Sequence, residues 1–219
     1  MKKIFPPLLA TICLNIHFVG FAQVHQASQE RQDIIPNCLI GNQVYMVQNL
    51  AVKVFRNGDS IMFVSSDKEW FEVQRDHTPA WRYYNDDSTT IEKFGLMYNW
   101  FAVNDKRGLA PVGWHVPTKQ EFEMLIVEAG PNSNALKSKS GWESSDNGNN
   151  SSNFNAFPCG WIKNTGKPAG QEWCAMFWTQ TIEKKYYPTC LQIFTKENKL
   201  YLGRELEGSG LSVRCIKDK

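Results

Sequence analysis

The chain has 219 residues, enough for one domain with a full hydrophobic core, and sets 24 Lys and Arg against 22 Asp and Glu. Lys2 and Lys3 sit in an N-terminal segment that reads as cleaved, which leaves 22 charges of each sign on the mature chain. A neutral chain without a Lys/Arg stripe excludes nucleic acid and anionic membrane as expected partners.

Residues 1–22 have the pattern of a secretory signal. Lys2 and Lys3 supply the positive start, an apolar stretch runs from Ile4 to Phe21, and Gly20 and Ala22 put small residues at minus three and minus one. Cleavage is expected after Ala22, with the mature protein starting at Gln23 and residing outside the cytoplasm, at the cell surface or in the periplasm. Pro6, Pro7, Asn15 and His17 break the stretch, so no membrane span is expected here, and no later segment is long and apolar enough for one. Ile12 occupies a slot where a lipoprotein signal wants a small residue, which argues against a lipid on Cys13. Residues 23–36 are polar and aperiodic and read as a flexible leader. Residues 37–219 then form a single domain.

From Cys38 to Leu50 apolar and polar residues alternate around Gly41-Asn42, the pattern of a strand pair with a tight turn. Ile61–Val64 is a short apolar run after the turn chemistry of Asn57-Gly58-Asp59. A weak helical pattern covers Met97–Val103, with Met97, Trp100 and Phe101 on one side. The clearest helix begins at Thr118. Glu121 stands three residues on and completes a capping box, Phe122, Leu125, Ile126 and Ala129 share one face, and Gly130-Pro131 stops it. Residues 138–153 are too polar to fold alone and read as a long surface loop. Short aromatic strands follow over 154–162, 172–179, 189–195, 200–202 and 211–216. Helices followed by a run of strands predict an α+β fold.

Five cysteines survive cleavage: Cys38, Cys159, Cys174, Cys190 and Cys215. No pair has CxxC spacing, so disulfides are expected in an oxidising compartment, with at least one thiol left over. Cys174 and Cys190 lie on neighbouring strands joined by a Lys184-Lys185 turn and are the favoured hairpin pair. Cys159–Cys174, across the Asn164–Gly170 turn, is its rival.

Catalytic patterns are missing: there is no HExxH, no GxSxG and no phosphate-cradling glycine loop, and no metal or other cofactor is expected. His115 reads as a hydrogen-bonded pin that holds its loop against the following helix. Asp86-Asp87-Ser88 and Glu143–Asp146 read as solvated loops rather than calcium ligands. Eight tryptophans are the remaining signal. Trp100, Trp114 and Trp178 are assigned to the core. Trp142 in the polar loop, and Trp161 and Trp173 on either side of the 164–167 turn, are the candidate ligand-binding residues, suited to stacking on sugar rings or to a protein contact.

Six blocks of the chain resemble one known family. They are Ile40–Leu50 (IGNQVYMVQNL), Gly95–Val103 (GLMYNWFAV), Leu109–Thr118 (LAPVGWHVPT), Asn153–Gly160 (NFNAFPCG), Phe177–Thr181 (FWTQT) and Ser212–Asp218 (SVRCIKD). In this order they are similar to the motifs of the Fibrobacter succinogenes major paralogous domain family. The resemblance implies secretion in Bacteroidetes- or Fibrobacter-type bacteria. It also implies a C-type-lectin-like fold, related to formylglycine-generating enzymes, in which two helices pack on a twisted antiparallel sheet and the chain ends lie together. Trp100, Trp114, His115, Pro117, Trp178 and Arg214 are then structural motif residues. Adjacent chain ends suggest a Cys38–Cys215 disulfide, which beside Cys174–Cys190 leaves Cys159 free, although relatives often carry cysteine where this chain has Arg82 or Ala110. The family brings no established activity. The close cysteine pair of formylglycine-generating enzymes is missing, since Cys190 and Cys215 are 25 positions apart, and so are the calcium and sugar motifs of C-type lectins. The expected function is a secreted, non-catalytic binding or surface-structural module for glycan or a surface protein. The alternative is an unrecognised or degenerate enzyme related to the formylglycine-generating fold, which a close polar pocket around His115 would favour.

Overall fold

The alternation after Asn37 folds into a hairpin, strands β1 (Asn37–Ile40) and β2 (Gln43–Met46), which pair Cys38 with Tyr45 and Leu39 with Val44. Gly41 turns the chain at φ +60, a left-handed conformation that glycine adopts without strain. The computed structural model describes residues 35–219 except 131, 144 and 145. The expected signal and all but the end of the expected leader lie outside the described residues. Pro36, assigned to that leader, already belongs to the fold, because its carbonyl accepts from the Val47 amide at 3.0 Å.

Next come β3 (Met62–Phe63), helix α1 (Asp67–Arg75), β4 (Ala80–Arg82), the one-turn helix α2 (Ile91–Phe94), β5 (Met97–Tyr98), the one-turn helix α3 (Trp100–Val103) and β6 (Trp114–His115). After them stand helix α4 (Lys119–Ala129), β7 (Trp161–Ile162), β8 (Pro168–Ala169), β9 (Cys174–Lys184), β10 (Tyr187–Phe194), β11 (Leu200–Arg204) and β12 (Ile216–Lys217). The fold is α+β. One twisted antiparallel sheet is expected from the resemblance, but the strands divide into four small sheets: β1-β2-β12-β6, β11-β10-β9, β3-β4-β5 and β7-β8. The β3–β4 pair is parallel. The first and last strands flank β2, so the two ends of the described domain share a sheet.

Helix α4 follows its sequence. Thr118 accepts from the Glu121 amide, the Glu121 carboxylate accepts from the Thr118 amide, and Phe122 and Leu125 are buried. The helical pattern over Met97–Val103 resolves differently. Met97 and Tyr98 form a strand, and Asn99 then caps a single turn by accepting from the Ala102 amide. Helix α1 is not anticipated by the sequence reading. Its N-cap Ser66 accepts from the Glu69 amide, and Trp70 and Val73 form its buried side.

Two apolar clusters fill the interior. One joins Phe122 and Leu125 of α4 to Tyr45, Phe154, Phe177, Leu191 and Ile193. The other packs Trp70 and Val73 of α1 against Tyr84, Phe94, Met97 and Phe157. Burial of aromatic rings on this scale requires their polar tips to find partners, and they do. Trp70 Nε1 donates to Gly208 O, Trp100 Nε1 to Thr179 O and Trp178 Nε1 to Tyr98 O, at 2.8 to 3.0 Å.

The strand registers correct the expected disulfides. All five cysteines of the domain are buried free thiols. Cys174 stands opposite Phe194 while Cys190 stands opposite Trp178, four ladder positions away. At about 3.3 Å per residue this is roughly 13 Å, beyond disulfide reach. Cys38 and Cys215 fail for a different reason. Strand β2 runs between their strands, with Tyr45 paired to Cys38 on one side and to Ile216 on the other. Two inter-strand spacings, about 9–10 Å, separate them, and the one-residue offset sends their side chains to opposite faces.

Candidate functional site

The three-stranded sheet β11-β10-β9 sends Leu191 and Ile193 of β10 inward, so Gln192 and Phe194 point the other way. Tyr201 lies directly opposite Gln192 on β11 and points outward with it. The β9–β10 ladder continues one residue past Cys174, with the Thr195 amide donating to Trp173 O at 2.8 Å, and this brings Trp173 beside Phe194. Trp161 on β7 is laid across the backbone at Gly170, where a Cβ would meet its ring at 2.4 Å.

Four rings thereby form a row. Trp161 and Trp173 are 6.3 Å apart between centroids, Trp173 and Phe194 5.1 Å, and Phe194 and Tyr201 6.1 Å. Trp173 is 43% exposed and Tyr201 36%, while Trp161 and Phe194 are half-buried. Polar groups edge the row. Tyr201 donates to Glu197 Oε2 at 2.5 Å, and Lys196 pairs with Glu143 at 3.9 Å. Beyond Tyr201 opens a depression of about 340 Å³ bordered by Asn132, Asn198 and Lys199. Flat rings beside hydrogen-bonding groups suit a ligand with apolar faces and polar edges.

Of the sequence-selected binding residues, Trp161 and Trp173 are thus brought together. Trp142 is not among them. It is 4% exposed, its Nε1 donates to Ser138 Oγ at 3.2 Å, and the buried Lys137 ammonium lies 4.7 Å over its ring. Its polar neighbours hid this, because Lys137 and Asp146 (2.6 Å) pair with one another and fold the loop over the indole. Phe194 and Tyr201 complete the row without having been selected. Their signal is alternation with the inward residues of their own strands.

Trp100, Trp114 and Trp178 are buried in the core, and Pro117 anchors β9 by accepting from the Gln180 amide at 2.9 Å. Arg214 is 1% exposed and has no carboxylate within ion-pair distance among the described residues. It donates to Asn49 Oδ1, Met46 O and Phe154 O.

His115 is held from both sides. Nδ1 lies 2.6 Å from Asp218 Oδ1 and Nε2 lies 3.0 Å from Glu121 Oε1, tying β6, the C-terminal segment and the cap of α4 together. Burial pushes the imidazole pKa down, but the hydrogen bonds to Glu121 and Asp218 outweigh it and raise the pKa above 6.5. A group whose pKa is raised on folding contributes stability fully below its unfolded value and loses it as pH rises through the folded one. Thermal stability should therefore fall as pH rises above the ordinary imidazole value of about 6.5, and His115→Asn should flatten that slope. Melting curves across this range, which show the same slope in both proteins if His115 contributes nothing, check the expectation.

Among the described residues no group of three or more His, Cys, Asp or Glu is placed to hold a metal ion. No described helix is long and apolar enough to cross a membrane. The Fibrobacter succinogenes major domain matches residues 39–217. The chain belongs to that family. No curated protein and no solved structure matches it. Within the Fibrobacter succinogenes major domain seen here, the motif blocks supply the scaffold: Trp100, Trp114, Trp178 and Arg214 are all interior. The ring row comes from the segments between those blocks.

Proposed function

We propose that this protein is an exported, non-catalytic binding module that takes a glycan chain along the row Trp161–Trp173–Phe194–Tyr201. The observation that carries the reading is the row itself: four neighbouring rings, two of them more than a third exposed. Sugar rings offer apolar C–H faces to such a surface and hydroxyls to its edge, where Glu197, Asn198 and Lys199 stand. The C-type-lectin-like form of the fold belongs to the same reading and is supported by the shared sheet of the first and last described strands. His115 supports binding over catalysis, because carboxylates already occupy both of its ring nitrogens.

A glycan array probed with residues 23–219, followed by calorimetry on the best ligand, tests this. Trp173→Ala should weaken binding roughly 30-fold, the about 2 kcal/mol that loss of an aromatic anchor costs, while leaving the melting temperature nearly unchanged. Binding that survives loss of both Trp173 and Tyr201 would place the ligand elsewhere, and an array without any bound glycan removes the reading.

A further inference from the structure

Cys159 lies two residues before Trp161, and Cys174 directly follows Trp173. Both thiols are fully buried, and the structure holds them in the reduced state, with Cys159 Sγ 3.2 Å from Ser212 Oγ. Their two segments are clamped to each other on either side of Cys159. The Glu172 amide donates to Pro158 O at 2.9 Å, and the Gly160 amide donates to Cys174 O at 2.8 Å. Gly160 and Ala175 form a parallel bridge, so Cys159 and Cys174 are each one step before a bridged pair. The bridge is isolated, and it is the hydrogen bond from the Gly160 amide to Cys174 O that sets the two Cα atoms roughly one inter-strand spacing, about 5 Å, apart, inside the 4.4–6.8 Å that a disulfide spans. The same test rejects the other cysteine pairings considered above.

We propose that Cys159 and Cys174 form a disulfide that staples the β7 segment to the start of β9 and so fixes Trp161 against Trp173 beneath the ring row. The second half of this statement rests on the glycan-binding reading, whereas the bond itself does not. In the closing step the Cys159 and Cys174 thiols lose two protons and two electrons to a small-molecule or protein disulfide. One S–S bond forms in the chain while the oxidant's S–S bond breaks to give two thiols. Burial pushes both thiols to higher pKa, Cys174 strongly, so the folded dithiol presents little thiolate. The bond is therefore made while the chain folds, before the pair is enclosed.

The bond would close a loop of about 15 residues, short enough to restrain the unfolded chain appreciably. It would also hold the turn at 163–167 and the left-handed Glu172 (φ +65), the irregular backbone between the two indoles.

The test uses residues 23–219 refolded with oxidised and reduced glutathione. Non-reducing peptide mapping should recover Cys159 linked to Cys174, with Cys38, Cys190 and Cys215 alkylated once the protein is denatured. Dithiothreitol should lower the melting temperature by several degrees. The Cys159→Ala and Cys174→Ala proteins should melt at the reduced temperature with or without dithiothreitol. Alkylation of all five cysteines, or a link between any other two, overturns the proposal even if the variants fail to fold, since the mapping needs only the natural sequence. Failure of the glycan array leaves this readout untouched. If glycans do bind, reduction should weaken them several-fold, and equal affinity in both redox states would remove the staple's role at the site while the mapping still decides the bond.

Discussion

Arg214→Ala is expected to destabilise the domain by about 3–5 kcal/mol, a large part of the total stability of a domain this size. The guanidinium is sealed inside, and its acceptors come from distant parts of the chain. Asn49 Oδ1 takes two donors, at 3.0 and 2.5 Å, while the carbonyls of Met46 and Phe154 take the others. Its Cζ lies 4.5 Å from the Phe154 ring centroid and 5.3 Å from that of Phe177. Alanine would orphan these acceptors, each at about 1–3 kcal/mol if left dry, and open a cavity between two rings. Asn49 extends the damage, because its amide donates to Phe94 O at 2.9 Å in the other cluster. Burial pulls the Arg214 pKa down to about 10, so the group still carries its proton at neutral pH. Lysine would keep the charge and lose the fork, and Arg214→Lys should therefore lose most of the same stability. Urea denaturation of both variants decides. A loss under about 1 kcal/mol for lysine would mean that charge, and not the planar set of donors, is what the interior requires.

The parts of the fold written in local chemistry are legible in the sequence. Thr118 and Glu121 mark the start of α4, and Gly41-Asn42 mark the hairpin turn, because caps and turns depend on residues a few positions apart. Helix α1 carries a similar mark in Ser66 and Glu69, but only Trp70 and Val73 of its nine residues are buried, so the apolar period is thin. Long-range register is not legible. Whether Cys174 meets Cys190 depends on a pairing offset of four residues, which the apolar pattern leaves open. The ring row shows both sides of this. Trp161 and Trp173 stand out by type and by the turn between them, whereas Phe194 and Tyr201 become neighbours only through the sheet β11-β10-β9. Trp142 misleads because its neighbours in sequence are polar, yet Lys137, Ser138 and Asn147 pair around it and leave the indole buried.

That reassignment makes the sharpest contrast between two tryptophans. Trp142→Ala is expected to cost about 3–5 kcal/mol, the usual range for removing a buried Trp, whereas Trp173→Ala should cost little stability. The indole of Trp142 floors the loop that spans 138–150. Its backbone amide donates to Asn147 Oδ1 at 3.1 Å, its ring faces the Lys137 ammonium, and the Gly148 amide closes back onto Ser138 O at 2.9 Å. Without the ring, Lys137 at 1% side-chain exposure would rely on Asp146 across an opened cavity. Asp146 also accepts from the Lys196 amide at 2.7 Å, so the disturbance would reach the turn before Tyr201 and weaken ligand binding only indirectly. Chemical denaturation should show the loss, and hydrogen exchange should show the Gly148 amide exchanging much faster than in the natural protein. A Trp142→Ala protein within about 0.5 kcal/mol of the natural one that nonetheless fails to bind glycan would return Trp142 to the binding surface and overturn its placement beneath the loop.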